Sequence, residues 1–237
     1  MADIRTVPMV PLKKTVIFPI LAYPVSVVKD STVKAIDAAL SDQGMLVVFA
    51  LKDTEVESPV MEELFDVGSM VRIVKNVRMP EGKRSVILEG EQRVQLLEVF
   101  TEDDVLYAKV EVLHPTDQED VLVEKRDELR RMAEDVFEES PRVSTEAGFL
   151  LRQAAGDSNR LTDIIAMQLG LSMMERQEVL STVDLSERIE LLMRLLKKER
   201  QLMSLKGRIE DKVRGDLDKA QRDFFLREQM KAIQTEL

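Results

Sequence analysis

The chain runs Ser69-Met-Val-Arg-Ile-Val-Lys-Asn-Val-Arg-Met79, then Pro80-Glu-Gly82, then Arg84-Ser-Val-Ile-Leu-Glu89. In the first part, apolar side chains at positions 71, 73, 77 and 79 alternate with polar ones, which is the period of a strand with one buried face. The Pro-Glu-Gly turn that follows predicts a β-hairpin. We therefore expect the front of the chain to be a β-structure built around this hairpin.

Strand signals continue on both sides of the hairpin, up to about Pro115. Met45–Leu51 is an unbroken apolar run of strand length, which predicts burial on both faces. Thr6–Leu12 contains two prolines, which suit an edge or first strand. The remaining segments are strands at Tyr23–Val28, Arg93–Phe100 and Leu106–Leu113, an acidic turn at 102–104, and one helix at Ser31–Leu40 with Ser31 as its cap. This order predicts a small twisted sheet or pseudo-barrel.

After Pro115 the apolar residues recur with helical spacing instead. The predicted helices are Asp117–Phe137, Thr145–Ala155, Leu161–Leu169 and Ser172–Leu180. Ser172 and Glu175 have the spacing of a capping box, and Thr182 is a weaker candidate cap. Short helices with short links predict a compact bundle, so the fold class is α+β.

From Asp184 the helical pattern lengthens into an apolar stripe of roughly forty residues. A helix of fifty residues would run about 75 Å, too far to bury its stripe in a bundle of short helices. We expect its far end to pack on another subunit, another domain or a client. Gly207 or Gly215 is a candidate joint, and two helices folded back there are the alternative. The helix reaches Leu237 without a stop signal, so we expect the chain to be cut from a longer one.

The composition argues against catalysis within this chain. It has no cysteine and one histidine, His114, which excludes Cys–His pairs, Ser-His-Asp triads and multi-histidine metal sites. No phosphate-binding P-loop motif is present, so we expect no cofactor here. The net charge of −10 argues against nucleic-acid binding. With no signal peptide or spanning segment, the expected location is the cytoplasm, without a membrane partner.

Three blocks of the sequence resemble the N-terminal region of the Lon family of ATP-dependent serine proteases. The first is Pro8-Met-Val-Pro-Leu12 with Val16-Ile-Phe-Pro19 and Tyr23-Pro24. The second runs from Val67 through the hairpin to Arg93. The third begins at Leu161 and continues, through Glu175-Arg-Gln-Glu-Val-Leu180 and Asp184-Leu-Ser-Glu-Arg188, to Gln221–Leu237. Together they cover nearly the whole chain in family order.

This resemblance implies a β-rich PUA-like lobe at residues 1–115, a helical lobe at 116–183 and a long helix at 184–237. That helix would lead into a hexameric ATPase module, and ATP and Mg²⁺ are expected there and not in this chain. The family's ATPase motifs and Ser-Lys protease domain are missing, so no catalytic residue is carried over. The region is expected to capture unfolded, damaged or short-lived regulatory proteins and to help assemble the hexamer.

Capture of unfolded clients needs apolar surface that stays open to solvent. Our candidates for client or subunit contact are Phe18 and Tyr23 in a proline-bounded loop with Ile20 and Leu21, Met79 at the hairpin tip, and Phe224, Phe225 and Met230 on the last helix. Burial is the alternative for each of these side chains, and we favour it for Phe18. A different function is also open, a free-standing PUA-like module that binds RNA or a small ligand.

Overall fold

The β-sheet predicted from the central hairpin is present in the computed structural model. The model describes residues 2–20, 22–53, 56, 59–79, 84–116, 119–140, 143 and 145–236. The strands are β1 (Ile4–Leu12), β2 (Ala22–Val27), β3 (Met45–Ala50), β4 (Val67–Arg78), β5 (Arg84–Glu102) and β6 (Val105–Leu113). Their order is β2-β5-β4-β3-β1-β6, and β5 also pairs with β6, so that the sheet closes on itself. The predicted α+β class with a β-rich pseudo-barrel lobe is confirmed.

Strand β1 is the first strand of the chain, one of the two positions that its prolines suggested, but it is not at the edge of this sheet. Residues 4–8 pair antiparallel with β6, and residues 9–12 pair parallel with β3. Each residue of β1 therefore pairs on one side only. Pro8 and Pro11, which lack an N–H, are tolerated inside the sheet because no position needs hydrogen bonds on both sides.

The hairpin is also longer than the sequence suggested. The segments Arg84–Glu89 and Arg93–Phe100, which we expected to be separate strands, form the single 19-residue strand β5. Its pairing with β4 shifts register at two places, and its pairing with β6 at one. Such irregularities let one long strand bend and serve several neighbours in a closed sheet. The turn at 80–83 lies outside the described residues. At the other end, Asp103 and Asp104 both take positive φ in the predicted acidic turn.

Strand β3 is buried on both faces, as its apolar run predicted. Leu46 and Val48 belong to the core cluster beneath helix α1 (Asp30–Ser41), while Val47 and Phe49 belong to a second cluster across the sheet. Arg84 also donates two hydrogen bonds to the Asp37 carboxylate of α1, at 2.6 and 2.7 Å. The expected cap at Ser31 is wrong, because α1 begins one residue earlier and its N-cap is Lys29, without a side-chain cap.

The predicted helices follow the sheet with small changes in their ends. They are α2 (Glu119–Glu139), α3 (Thr145–Gln153), α4 (Ser158–Gln168), α5 (Met173–Ser181) and α6 (Leu185–Glu236). The capping box of Ser172 and Glu175 is confirmed at the start of α5. Thr182 does not cap α6, because its hydroxyl donates back to the carbonyl oxygen of Glu178. Asp184 takes that role and accepts a hydrogen bond from the N–H of Glu187 at 2.8 Å.

The last helix is continuous through the glycines that we considered as joints. Helix α6 has 52 residues. The chain divides into two compact units, Met1–Arg194 and Leu195–Leu237, so the first ten residues of α6 belong to the first unit. The finer division at residues 115 and 183 stays a prediction. None of the helices in the described ranges has an apolar stretch long enough to cross a membrane.

Candidate functional site

The first unit contains a large cleft at one end of the β-lobe. It has a volume of about 1080 Å³ and lies between the end of β1, strand β2, the first turn of α1 and the turn that joins β5 to β6. Its floor is apolar and includes Val10, Leu12 and Leu51, all buried in the lobe. On its rim, Val28 and Val60 are more than half exposed. A concave apolar surface of this size is suited to binding.

The charge at the cleft differs from that of the chain as a whole. Its described lining includes Lys13, Lys14, Lys29 and Lys34, against Asp30 and Asp104. Lys34 donates to the Asp104 carboxylate at 2.9 Å, and this hydrogen bond lowers the pKa of Asp104 and raises that of Lys34. With four cations against two anions, the described residues of the lining are net positive in a chain of net charge −10.

Strand β2 forms one wall of the cleft. In the described part of the chain, it pairs only with β5, from Ala22 opposite Glu89 to Val27 opposite Arg84. The side chains at 22, 24 and 26 are exposed, whereas those at 23, 25 and 27 are half-buried or buried. The other edge of β2 has no partner strand among the described residues. Such an edge presents backbone donors and acceptors that can pair with another chain.

In the proline-bounded loop before β2, residues 16–19 are buried and Ile20 is half-buried. Phe18 is fully buried, so burial is the outcome for this candidate. Ser69 Oγ donates to the Ile17 carbonyl oxygen at 2.5 Å. The Ile20 N–H donates to the Gly90 carbonyl oxygen at 2.6 Å. Ile20 has φ +75°, a strained value for a β-branched residue. The prediction for Leu21 falls outside the described residues.

Tyr23 is the predicted contact residue that lines the cleft. Its ring is half-buried, and its Oη accepts a hydrogen bond from the Phe18 N–H at 3.3 Å. Burial raises the pKa of the Tyr23 phenol, and the hydrogen bond from Phe18 opposes that shift. Tyr23 therefore joins the cleft wall to the buried loop behind it.

The other predicted contact residues are exposed but do not line the cleft. Met79, which is half exposed, directly follows β4. Phe224, Phe225 and Met230 belong to the second unit, where each is more than 60 % exposed. The structure thus brings together only Phe18 and Tyr23 of the predicted set. Client or subunit contact by the exposed side chains stays a prediction.

A buried ion pair holds the helical part of the first unit against the sheet. Arg93 of β5 donates two hydrogen bonds to the carboxylate of Asp163 in α4, one of them at 3.0 Å. Arg93 is 4 % exposed and Asp163 is fully buried. The Nε of Arg93 also donates to the Leu180 carbonyl oxygen of α5 at 3.0 Å. One arginine side chain therefore connects the sheet to two helices.

A second buried arginine lies beside this pair. Arg188, at the start of α6, donates to Asn159 Oδ1 and to the Thr182 carbonyl oxygen, each at 2.6 Å. Burial first, and then the charge of Arg93, lower the pKa of Arg188 to about 9, while the charges of Asp163 and Asp184 act in the opposite direction. Arg188 is therefore charged at pH 7, so the cluster holds two cations and one buried anion. This arrangement joins the sheet to helices α4, α5 and α6, and the cleft is the candidate site for binding.

Sequence reasoning missed the cleft and its lysines. The one available signal was the pair Lys13-Lys14 after β1, in a lobe that is otherwise acidic. The other two lysines reach the cleft only because β2 leads directly into α1. Among the described residues, no group of three or more His, Asp or Glu side chains is placed to hold a metal ion.

The comparison with known proteins identifies the family. Residues 6–198 match the family model described as the ATP-dependent protease La (LON) substrate-binding domain. The chain belongs to the Lon substrate-binding domain family. It is 31 % identical over 230 residues to "Lon protease 2" of Herpetosiphon aurantiacus, covering 97 % of this chain and 28 % of that protein. With "Lon protease" of Flavobacterium johnsoniae it shares 32 % identity over 235 residues, or 98 % and 29 % of the two chains.

The chain thus spans about three-tenths of the length of these Lon relatives. Two solved structures have a similar fold. The "N terminal domain of Mycobacterium avium complex Lon protease" has a TM-score of 0.62 at 20 % identity, covering 81 % of this chain and 98 % of that one. The Lon N-terminal domain protein from Xanthomonas campestris has a TM-score of 0.55 at 17 % identity, covering 80 % and 98 %. The predicted resemblance to the N-terminal region of Lon is confirmed.

Proposed function

We propose that this chain is the client-recognition and assembly region of an ATP-dependent Lon protease. Its clients would be misfolded, damaged and short-lived regulatory proteins. The observation that carries the proposal is the open cleft of about 1080 Å³, in a chain that matches the substrate-binding family over residues 6–198. Unfolded proteins expose apolar segments, and an apolar floor within an open cleft is the surface that such segments bind.

Assembly is proposed to use the second unit. Along α6, apolar side chains recur on one stripe and are half or more exposed: Leu202, Leu205, Ile209, Val213 and Leu217. A continuous apolar stripe of this kind is stable in water when another helix covers it. We assign that cover to further copies of the chain, as a hexamer requires. ATP and Mg²⁺ would bind outside these 237 residues, and so would the catalytic Ser-Lys pair.

Client binding is tested with the chain as it stands, without nucleotide. A reduced and carboxymethylated protein serves as the unfolded client, and the same protein in its native form is the control. We expect selective binding of the unfolded form. Equal binding of both forms, or of neither, would refute client recognition by the isolated chain.

Assembly is tested by sedimentation over a range of concentrations. Phe224→Ala and Phe225→Ala should shift the chain toward the monomer without changing the thermal midpoint of the first unit, because both rings are exposed. Gln229→Ala, an exposed polar position on the same helix, is the matched control. A strictly monomeric chain at high concentration would contradict the assembly role.

A second candidate function is supported by the lysines at the cleft. Lys13 and Lys14 could meet phosphates, as in a PUA-like module that binds RNA. Asp30 and Asp104 in the same lining, and the net charge of −10, oppose that partner. Titration with a single-stranded RNA oligonucleotide distinguishes the two functions, and we expect no binding at physiological salt.

A further inference from the structure

We propose that the cleft binds a client as an added β-strand along the free edge of β2, and that it selects segments in which acidic and apolar residues alternate. This inference rests on the proposed client-recognition function and specifies the conformation and the charge of the bound segment. It is carried by three features of the first unit: the backbone of β2, the apolar floor and the lysines on the rim.

The backbone of β2 is suited to accept another strand. Residues of an antiparallel strand direct their N–H and C=O groups alternately to one neighbour and to the other. Proline lacks the N–H, so Pro24 fits a position whose backbone groups point away from β5, where no hydrogen bond to β5 is needed. Ala22 and Ser26 are two residues away on either side, so their backbone groups also point away from β5. The free edge therefore offers two N–H donors and three carbonyl acceptors, as strand addition requires.

The floor and the rim determine which side chains would follow such a strand. In an extended chain, alternate side chains point in opposite directions. One set would face the apolar floor near Val10, Leu12 and Leu51. The other set would face the rim, where lysines outnumber aspartates four to two among the described lining residues. Apolar residues alternating with glutamate or aspartate are complementary to both surfaces.

The length of β2 sets the length of the probe. Six residues of strand span about 20 Å. A labelled ten-residue peptide of alternating valine and glutamate covers this edge with two residues to spare at each end. Its counterpart, with lysine in place of glutamate, tests the charge preference. A single-stranded RNA oligonucleotide tests the other class of ligand, and its competition with the peptide would overturn the proposal.

The decisive variants are Ser26→Pro and Ser26→Ala. Both remove the hydroxyl, but only proline removes the outward N–H, and Pro24 occupies the same phase of the strand in the natural sequence. We expect Ser26→Pro to weaken peptide binding about tenfold, as the loss of one well-formed hydrogen bond would do, while Ser26→Ala stays within about twofold. Equal affinities for the two variants would rule out strand addition. Far-UV circular dichroism of both variants checks that β2 is intact.

The charge preference is tested with Lys13→Glu combined with Lys14→Glu. The double variant should bind the valine–glutamate peptide about tenfold more weakly at low salt, and the difference should shrink as salt is added. Lys75→Glu, at an exposed position of β4 outside the cleft lining, is the matched control and should have no effect. If the lysine peptide binds as tightly as the glutamate peptide, the charge part of the proposal is wrong.

The outcomes for the unfolded client separate this inference from the proposed function. If the unfolded client binds and Ser26→Pro has no effect on either ligand, client recognition stands and strand addition fails. If the peptide binds with the expected dependence on Ser26 while the unfolded client does not bind, the cleft is a strand-binding site and general client capture fails.

Discussion

Removal of the Asp163 carboxylate should be among the most damaging single changes in the first unit. In Asp163→Asn, the side-chain shape is preserved but the negative charge is lost. Arg93 is then left buried without its counter-ion, and Arg188 loses the one buried carboxylate that raises its pKa. Breaking a buried ion pair in this way costs about 3–5 kcal/mol. The folding constant should therefore fall by about two to four powers of ten.

The opposite change, Arg93→Met, should cost less. Asp163 then keeps Arg188 as a neighbouring cation, so the buried carboxylate is not left without a positive charge. The loss is mainly that of hydrogen bonds to a charged group, about 2–3 kcal/mol. The double variant should be more stable than Asp163→Asn alone, because replacing Arg93 removes its repulsion of Arg188. This order of stabilities is expected because Arg93 and Arg188 share the single buried carboxylate of Asp163.

Urea unfolding followed by far-UV circular dichroism measures these differences, with constant m-values as the check for two-state behaviour. Glu190→Gln is the control. Glu190 lies near the start of α6, as Arg188 does, and its carboxylate accepts a hydrogen bond from Lys125 at 2.6 Å. Both partners are about half exposed, so the urea midpoint should not move. If Asp163→Asn costs less than about 1 kcal/mol, or less than Arg93→Met, the cluster does not act as a shared-charge network.

Three further predictions concern other parts of the chain. Gly90→Ala should destabilise the fold by several kcal/mol, because a Cβ there would overlap the Phe18 carbonyl oxygen. Gly207→Ala should instead stabilise α6 by about 1 kcal/mol, because its Cβ would meet no neighbouring group within 4 Å. Thermal unfolding compares the two variants. The pKa of Tyr23 is higher in the folded state than in the unfolded state, so the folded state favours the neutral phenol. This contribution to stability is complete below about pH 10 and is lost as the pH rises through the folded-state pKa. Tyr23→Phe should therefore lose less stability above pH 10 than the natural chain, as measured by urea midpoints at successive pH values. Ser172→Ala should cost about 1 kcal/mol through the lost capping box of α5, and a cost near zero would show that this cap is not used in solution.

Local sequence patterns predicted most of the elements because those elements depend on neighbouring residues. The hairpin, the twice-buried strand β3 and the capping box of α5 each follow from spacing within a few positions. The errors came from longer-range effects. Two segments fused into β5 because a closed sheet needs one long bent strand. Strand β1 is the first strand, one of the two positions expected for it, but it does not lie at an edge, because its two halves pair with different strands, which no local pattern reveals.

The candidate site was harder to predict than the fold. Phe18 is buried, the alternative that the sequence favoured for it, because Gly90 lets the loop backbone approach β5 closely. The lysines that distinguish the cleft come from segments on either side of β2, and only tertiary structure brings them together. By itself, the sequence determined the order of strands and helices, the Lon resemblance and the long apolar stripe of α6, since periodicity and motifs are local properties. Only the tertiary structure decided which edge stays open and which charges are buried, because pairing and burial depend on residues far apart in the chain.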